Sequence, residues 1–418
     1  MSRVDDYRAR TPRSAELFER ASRSLPGGST RTTVFFPPYA PYIAHGEGLR
    51  ITDVDGNVYR DFLGNYTSLI LGHAHPAVTA AVEAQVGKGS AFGAPTEVEI
   101  ELAEEIRSRL PSVDLLRFTT SGTEATMFAL RAARAFTGRS LSARFERFYH
   151  GTHDIAVAGS PGVPKAIDGL MLTLPWGDAD GVEQALRGHE DDLAAIIIEP
   201  VQGAGGIRAA EPEFLAFLRR YCDRIGALLI FDEIIAFRIG FNGAQGVFGV
   251  RPDLTTLGKI IGGGYPLAAF GGRAAVMGIF DARRTGALTH GGTFNGSPVA
   301  AAAGLATLRE MTTVQYERLA VLGRRLAEKV TEGITAQGIE ARIEVIASLF
   351  QVFSGPAESA VATGHDAASE LFLGMLLEGF YLAPRGMGAL STPATDTDID
   401  DLAAAILRVT ARLSPVAV

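Results

Sequence analysis

Ala194-Ala195-Ile196-Ile197-Ile198-Glu199 and Ala227-Leu228-Leu229-Ile230-Phe231-Asp232 decide the fold of this chain. Each is a short apolar run that ends in a carboxylate. Uninterrupted runs of this length read as strands buried on both faces. Residues 212–224, between them, carry apolar side chains at helical spacing, so the three segments predict one βαβ unit. Parallel neighbours end on the same edge of a sheet, and topology alone therefore sends Glu199 and Asp232 into one crevice.

The same alternation of short apolar runs and longer amphipathic stretches extends over residues 55–298, which predicts a large α/β domain with a mostly parallel central sheet. Residues 300–311 read as a helix, followed by charged helical stretches and a strand-like segment at 348–353, an α+β pattern suited to a second, smaller domain. The tail, 396–413, has helical spacing, with Asp396, Asp398 and Asp400 near its start, where anions favour the helix dipole. The stretch up to about Gly48 is rich in Pro, Gly and aromatics, as in Pro26-Gly27-Gly28 and Phe35-Phe36-Pro37-Pro38, and is expected to be irregular and surface-draped. The layout is then 1–54 as the N-terminal segment of a small domain, 55–298 as the large domain and 299–418 as the rest of the small domain.

A chain of 418 residues, 47% hydrophobic, is long enough for a deep buried site. Its formal charge of -8 and the absence of any basic tract argue against a nucleic-acid surface and favour small-molecule chemistry. The longest apolar runs fall well short of the roughly 20 residues of a membrane span. The first twenty residues lack the apolar run of a secretory signal, and the single cysteine, Cys222, excludes an internal disulfide. A cytoplasmic location is expected, with Cys222 packed in a core, and no metal site is anticipated.

Lys259 lies downstream of Asp232 in Thr256-Leu257-Gly258-Lys259-Ile260-Ile261-Gly262-Gly263-Gly264. An amine able to form an imine, with an anion able to keep a ring nitrogen protonated, is what pyridoxal phosphate chemistry requires. Residues 115–124, Leu-Leu-Arg-Phe-Thr-Thr-Ser-Gly-Thr-Glu, read as strand, tight turn and helix start. Ser121, Gly122 and Thr123 there form a candidate phosphate cradle, although Ser121 and Glu124 also fit a plain capping box. Tyr149, in Tyr149-His150-Gly151, is either a ring-stacking aromatic or a core tyrosine. Ile234 shares the side of Asp232 on an extended chain, to cover the other ring face or to fill core.

Taken together and in order, Ser121-Gly122-Thr123, Tyr149-His150-Gly151, Asp232-Glu233-Ile234 and Leu257-Gly258-Lys259 resemble class III pyridoxal phosphate aminotransferases, over nearly the whole chain. The resemblance implies the fold type I transferase architecture, pyridoxal 5'-phosphate as cofactor, Lys259 as the imine-forming and proton-moving catalytic residue and Asp232 as the partner of the pyridine nitrogen. It further implies that Ser121, Gly122 and Thr123 hold the phosphate, that Tyr149 stacks on the ring with Ile234 opposite, and that Gln202 sits near the phenolic oxygen. Thr293, in Gly291-Gly292-Thr293-Phe294, resembles the threonine by which a partner subunit completes the phosphate site, which implies a homodimer with a shared active site.

Within that family, Pro26-Gly27-Gly28, residues 92–96 and residues 257–272 resemble glutamate-1-semialdehyde aminomutases. Thr30-Arg31, Gly64-Asn65-Tyr66-Thr67 and Pro384-Arg385-Gly386 depart from them and look like β-amino acid transaminases, including β-phenylalanine enzymes. Residues 6–11 and 134–139 resemble D-phenylglycine aminotransferase. A transaminase must bind a β-carboxylate in one half-reaction and the carboxylate of 2-oxoglutarate or pyruvate in the other, and guanidinium suits both. Arg31 and Arg385 are the candidates, either as carboxylate binders or as solvated surface arginines. Tyr66, Phe35 and Phe36 either line an apolar pocket for the substrate side chain or belong to the core. The expected reaction moves an amino group from an aromatic β-amino acid to a keto acid by a ping-pong route. An aminomutase and a noncatalytic ligand-binding relative are the rival readings.

Overall fold

A computed structural model describes residues 2–355 and 365–413. The chain divides into two compact units, residues 76–316 and residues 1–75 with 317–418. Both junctions lie C-terminal of the expected 54/55 and 298/299. Val58–Asp61 completes an antiparallel sheet with Arg50–Asp53 and Ile43–Glu47, which keeps residues 55–75 in the first unit. Helix Pro298–Glu310 packs along Pro76–Val86 and Glu97–Arg109, which keeps it in the larger one.

The larger unit is built on a seven-stranded sheet in the order Leu115–Thr119, Ala268–Gly272, Leu254–Leu257, Leu228–Asp232, Leu193–Ile198, Leu141–Phe145 and Met171–Leu174. Only Ala268–Gly272 runs antiparallel to its neighbours. The uninterrupted apolar runs are explained by burial on both faces. Ile196, Ile198, Leu229 and Phe231 pack on one side with Phe214, Leu215, Leu218 and Cys222, whereas Ala195, Ile197, Leu228 and Ile230 pack on the other with Phe128, Ala129 and Phe270. Helix Pro212–Ile225 supplies the first of those covers, starting on a proline in its first turn and stopping at Gly226 with φ 71°. Cys222 lies in that core as expected, where burial pushes its thiol up to about 12.

Strand register places the charged residues. Phe231 pairs with Ile198 in parallel, so the next residues, Asp232 and Glu199, leave the sheet side by side, and Asp232 itself pairs with Thr256 of the next strand. A short hairpin, Val201–Gln202 with Arg208–Ala209, intervenes before the helix; its strands are too short to show a period in sequence.

The smaller unit holds two sheets. Phe380–Tyr381 adds in parallel to Val58–Asp61, and Leu349–Ser354 lies between Ala341–Ile346 and Met387–Ala389. The N-terminal stretch is more regular than its composition suggests. Arg3–Arg10 is a helix with a capping box between Ser2 and Asp5, and Pro12–Ala21 is a second helix with proline at its start. Tyr7, Phe36 and Tyr39 then bury against Phe372, with the Phe36 and Phe372 rings 4.0 Å apart. Phe36 is thus core and does not line a substrate pocket, while Phe35 is exposed.

Two buried glutamates at the strand ends give the large unit a pH signature. Burial, reinforced by the neighbouring Asp232, pushes the Glu199 carboxyl up to about 8, and burial pushes Glu233 up to about 7. The native chain therefore holds protons that the unfolded chain releases above about pH 4 to 5, the ordinary glutamate range. The stabilisation tied to those protons is fully present below that range and is lost as pH rises through 7 to 8. Melting temperature followed across that window is expected to fall more steeply for the native sequence than for Glu199→Gln, which has no proton to release; equal slopes would remove Glu199 as a source of the dependence.

Candidate active site

Asp232 is the buried centre of the crevice at the strand ends, with 3% of its surface exposed. Its Oδ1 accepts from Thr256 Oγ1 at 3.0 Å and from the Ile234 backbone N–H at 3.2 Å, and its Oδ2 lies 2.8 Å from His150 Nδ1. Buried carboxylates need such partners, because desolvation without them is costly. Glu199 accepts from the backbone N–H groups of Tyr149 and Gly203, each at 3.2 Å, and so ties the loop carrying Tyr149 to the hairpin carrying Gln202. The Gln202 amide reinforces this by donating to Arg147 O at 3.2 Å.

Helix Gly122–Thr137 begins at the same edge. The expected capping box is present, with Ser121 Oγ accepting from Glu124 N at 3.2 Å and Glu124 Oε2 accepting from Ser121 N at 3.1 Å. It does not displace the cradle, since Gly122 and Thr123 remain first-turn residues whose N–H groups have no acceptor within the helix. Gly122 sits close against Ile234: a Cβ there would stand 2.6 Å from Ile234 Cδ1, which would have to turn away. Gly151 is likewise pressed on Thr123, with a would-be Cβ 2.6 Å from its Oγ1, and Thr126 Oγ1 donates to His150 O at 2.7 Å. The Tyr149 loop is thereby clamped to the helix start, while the Tyr149 side chain stays outside the core, 54% exposed.

Lys259 follows the Leu254–Leu257 strand and opens a short 3-10 turn, Lys259–Gly262, with its own φ at 52°. A non-glycine residue in the left-handed region costs about 1–2 kcal/mol and persists only where its surroundings enforce it. The Lys259 charge acts on Glu199, opposing the rise caused by burial and Asp232. Thr293 lies in the exposed loop before Pro298–Glu310, and its neighbours Asn295 and Gly296 line an open cleft of about 350 Å³ with Glu99, Ile100 and Phe118.

The remaining predicted residues belong to the smaller unit. Val58–Asp61 and Phe380–Tyr381 are parallel neighbours, with Tyr381 opposite Asp61, so the segments leaving them, 62–67 and 382–386, exit at one edge. Tyr66 and Arg385 lie on those segments, and the Arg385 charge acts on the Tyr66 hydroxyl. Arg31 lies beside Tyr66, its Nη2 2.7 Å from Asn65 Oδ1 and its guanidinium carbon 5.6 Å from the Tyr66 ring centre. Burial raises the Tyr66 hydroxyl above its usual range, against the pull of the Arg31 and Arg385 charges and of its bond to Thr33 O.

Sequence reasoning named neither His150 nor Thr256 as site residues and gave Glu199 no role. His150 stands inside the Tyr149-His150-Gly151 motif, but its contact with Asp232 spans 82 positions and has no local signal. Thr256 was within reach, as the residue that parallel register sets beside Asp232.

An amine, a buried carboxylate, an exposed aromatic ring and a helix start open to an anion form a donor set that fits a phosphorylated pyridine aldehyde. Comparison with known proteins agrees. Residues 37–349 match the family Aminotransferase class-III. Glutamate-1-semialdehyde 2,1-aminomutase of Desulfatibacillum aliphaticivorans is 40% identical over 93% of this chain and 96% of its own. Among solved structures, an omega-transaminase from Sphaerobacter thermophilus has a TM-score of 0.91 at 40% identity, covering 96% of this chain and 98% of that one. A beta-phenylalanine aminotransferase from Variovorax paradoxus has 0.91 at 37%, covering 97% and 95%. With its mostly parallel sheet and this donor set, the chain belongs to the class III aminotransferases, enzymes that use pyridoxal 5'-phosphate on small amino and keto acids.

Proposed function

We propose that the enzyme transfers an amino group from a β-amino acid, aromatic in its side chain, to an α-keto acid, 2-oxoglutarate or pyruvate, in two half-reactions at one site. The observation that carries this reading is Arg31 beside the Tyr66 ring, with the Arg385 charge also acting on the Tyr66 hydroxyl. Two carboxylates of different spacing must be recognised in turn, and guanidinium groups provide planar, directional donors for them.

When bound, pyridoxal phosphate supplies an aldehyde that condenses with amines and a ring that accepts negative charge. Lys259 Nζ is the amine that would hold the aldehyde, and once free it would act as base and then acid, moving a proton from the substrate carbon to the cofactor's aldehyde carbon. Asp232 would pair with the ring nitrogen, and His150 and Thr256 hold its carboxyl group in place for that role. Gly122 and Thr123 N–H groups, with Ser121, would hold the phosphate. Tyr149 and Ile234 would cover the two ring faces, and Gln202 would bind the phenolic oxygen. Lys259→Ala is expected to lose turnover and Asp232→Asn to lose turnover more than bound cofactor, read by activity and visible absorbance; near-normal activity in either would remove that residue from its role.

A second reading, an aminomutase that shifts the amino group within one molecule, is favoured by the 40% identity to glutamate-1-semialdehyde 2,1-aminomutase. The same segments that carry Arg31, Tyr66 and Arg385 are where the chain departs from that pattern. Purified enzyme given β-phenylalanine with 2-oxoglutarate or pyruvate is expected to consume both partners. Isomerisation of glutamate-1-semialdehyde without keto-acid consumption, together with no reaction of β-phenylalanine, would establish the aminomutase instead.

We also infer a homodimer in which Thr293 of each subunit completes the phosphate site of the other. Support comes from the exposed Phe294, Ile100 and Leu115, at 61%, 55% and 47%, around the loop and its cleft, apolar surface of the kind that a subunit interface covers. Sedimentation is expected to give about twice the 44.2 kDa chain mass. Phe294→Asp should shift it toward the monomer with loss of bound cofactor, whereas a monomeric, cofactor-retaining native enzyme would rule the shared site out.

A further inference from the structure

Gly64, Asn65, Tyr66 and Thr67 all have positive φ, 53°, 49°, 55° and 76°, so four consecutive residues form a left-handed turn. Three of them carry side chains, and β-branched Thr67 is the most disfavoured there. Such a turn survives only where its surroundings fix it. Asp61 Oδ1 accepts from Leu63 N at 2.8 Å and Gly64 N at 2.9 Å, while Asp61 Oδ2 is held 2.7 Å from His73 Nε2. Ser68 Oγ donates to Asn65 O at 3.0 Å, the Tyr66 hydroxyl donates to Thr33 O, and Thr67 is buried. The turn is thus held at both ends and in the middle, and it presents the exposed Asn65 amide and the half-buried Tyr66 ring to Arg31.

Asn65 Oδ1 occupies one of the five N–H donors of Arg31 and brings no charge of its own. Among the described residues no carboxylate pairs with that guanidinium. An amide in this place orients the arginine while leaving its charge for an incoming anion, whereas a carboxylate would hold it as a built-in competitor. We propose that Asn65, aimed by the left-handed turn 64–67, is a specificity-determining positioning residue that sets the Arg31 guanidinium for the substrate carboxylate. This rests on the reading of Arg31 as a carboxylate binder.

The test is steady-state kinetics of the holoenzyme with β-phenylalanine for Asn65→Asp, Asn65→Ala and Arg31→Ala, and for Asn65→Asp combined with Arg31→Ala. Visible absorbance of the bound cofactor serves as the structural readout. Asn65→Asp is expected to raise KM about tenfold or more, with kcat within about threefold and absorbance unchanged, because the new carboxylate occupies Arg31. Asn65→Ala should raise KM less, and Asn65→Asp should add nothing once Arg31 is alanine. If Arg31→Ala leaves KM unchanged, the carboxylate-binding reading of Arg31 fails and the inference falls with it. If Arg31→Ala raises KM but Asn65→Asp does not, or raises it no more than Asn65→Ala, the inference alone is overturned. Loss of cofactor absorbance in Asn65→Asp would also overturn it, by making the residue merely structural.

Discussion

The large unit depends on one buried carboxylate held at the C-terminal edge of a parallel sheet. A charge in that position is tolerated only with compensating hydrogen bonds, and Asp232 takes three, from His150, Thr256 and Ile234. Each comes from a different requirement of the fold. Thr256 is supplied by parallel register, Ile234 by the turn of the chain after its own strand, and His150 by a loop clamped to the start of helix Gly122–Thr137. Ile234 then fills the space that Gly122 leaves. The helix start and the carboxyl group at the sheet edge are therefore positioned by the same few contacts.

The parts of this arrangement that follow from backbone geometry were legible in the sequence. Two apolar runs separated by an amphipathic stretch could pack only as parallel neighbours, and their terminal acids had to emerge together. The long-range contacts were not legible, since nothing near His150 signals a partner 82 residues away. Two local signals were present and misweighed at the N-terminus. Ser2 with Asp5, and proline at position 12, are helix-start signatures, yet the Pro, Gly and aromatic content of the stretch pointed to irregular chain. Tertiary burial of Tyr7, Phe36 and Tyr39 decided the outcome. The left-handed turn at 64–67 was signalled only in its first half, since Gly64 and Asn65 tolerate that backbone while tyrosine and threonine do not favour it. Bonds to Asp61, Ser68 and Thr33 hold the rest.

Reaction and substrate are written in different parts of the chain. The large unit carries the residues proposed to hold a pyridoxal cofactor, among them Asp232, Lys259 and the start of helix Gly122–Thr137. The smaller unit carries Arg31, Tyr66 and Arg385, on segments whose shared exit edge follows from the pairing of Phe380–Tyr381 with Val58–Asp61. Identity near 40% to an aminomutase and to an omega-transaminase alike shows how little overall similarity discriminates between these activities. In the proposed reading the discrimination lies in a handful of side chains near strand ends, where loops tolerate change and carry function.

The account stands on Asp232 acting as the anion opposite the cofactor's ring nitrogen. The most direct measurement is the nitrogen-15 chemical shift of ring-labelled pyridoxal phosphate in the holoenzyme at neutral pH, with Asp232→Asn alongside. A protonated ring nitrogen in the native enzyme that becomes deprotonated in Asp232→Asn is the predicted result. A ring nitrogen already deprotonated in the native enzyme, or equally protonated in both, would contradict it.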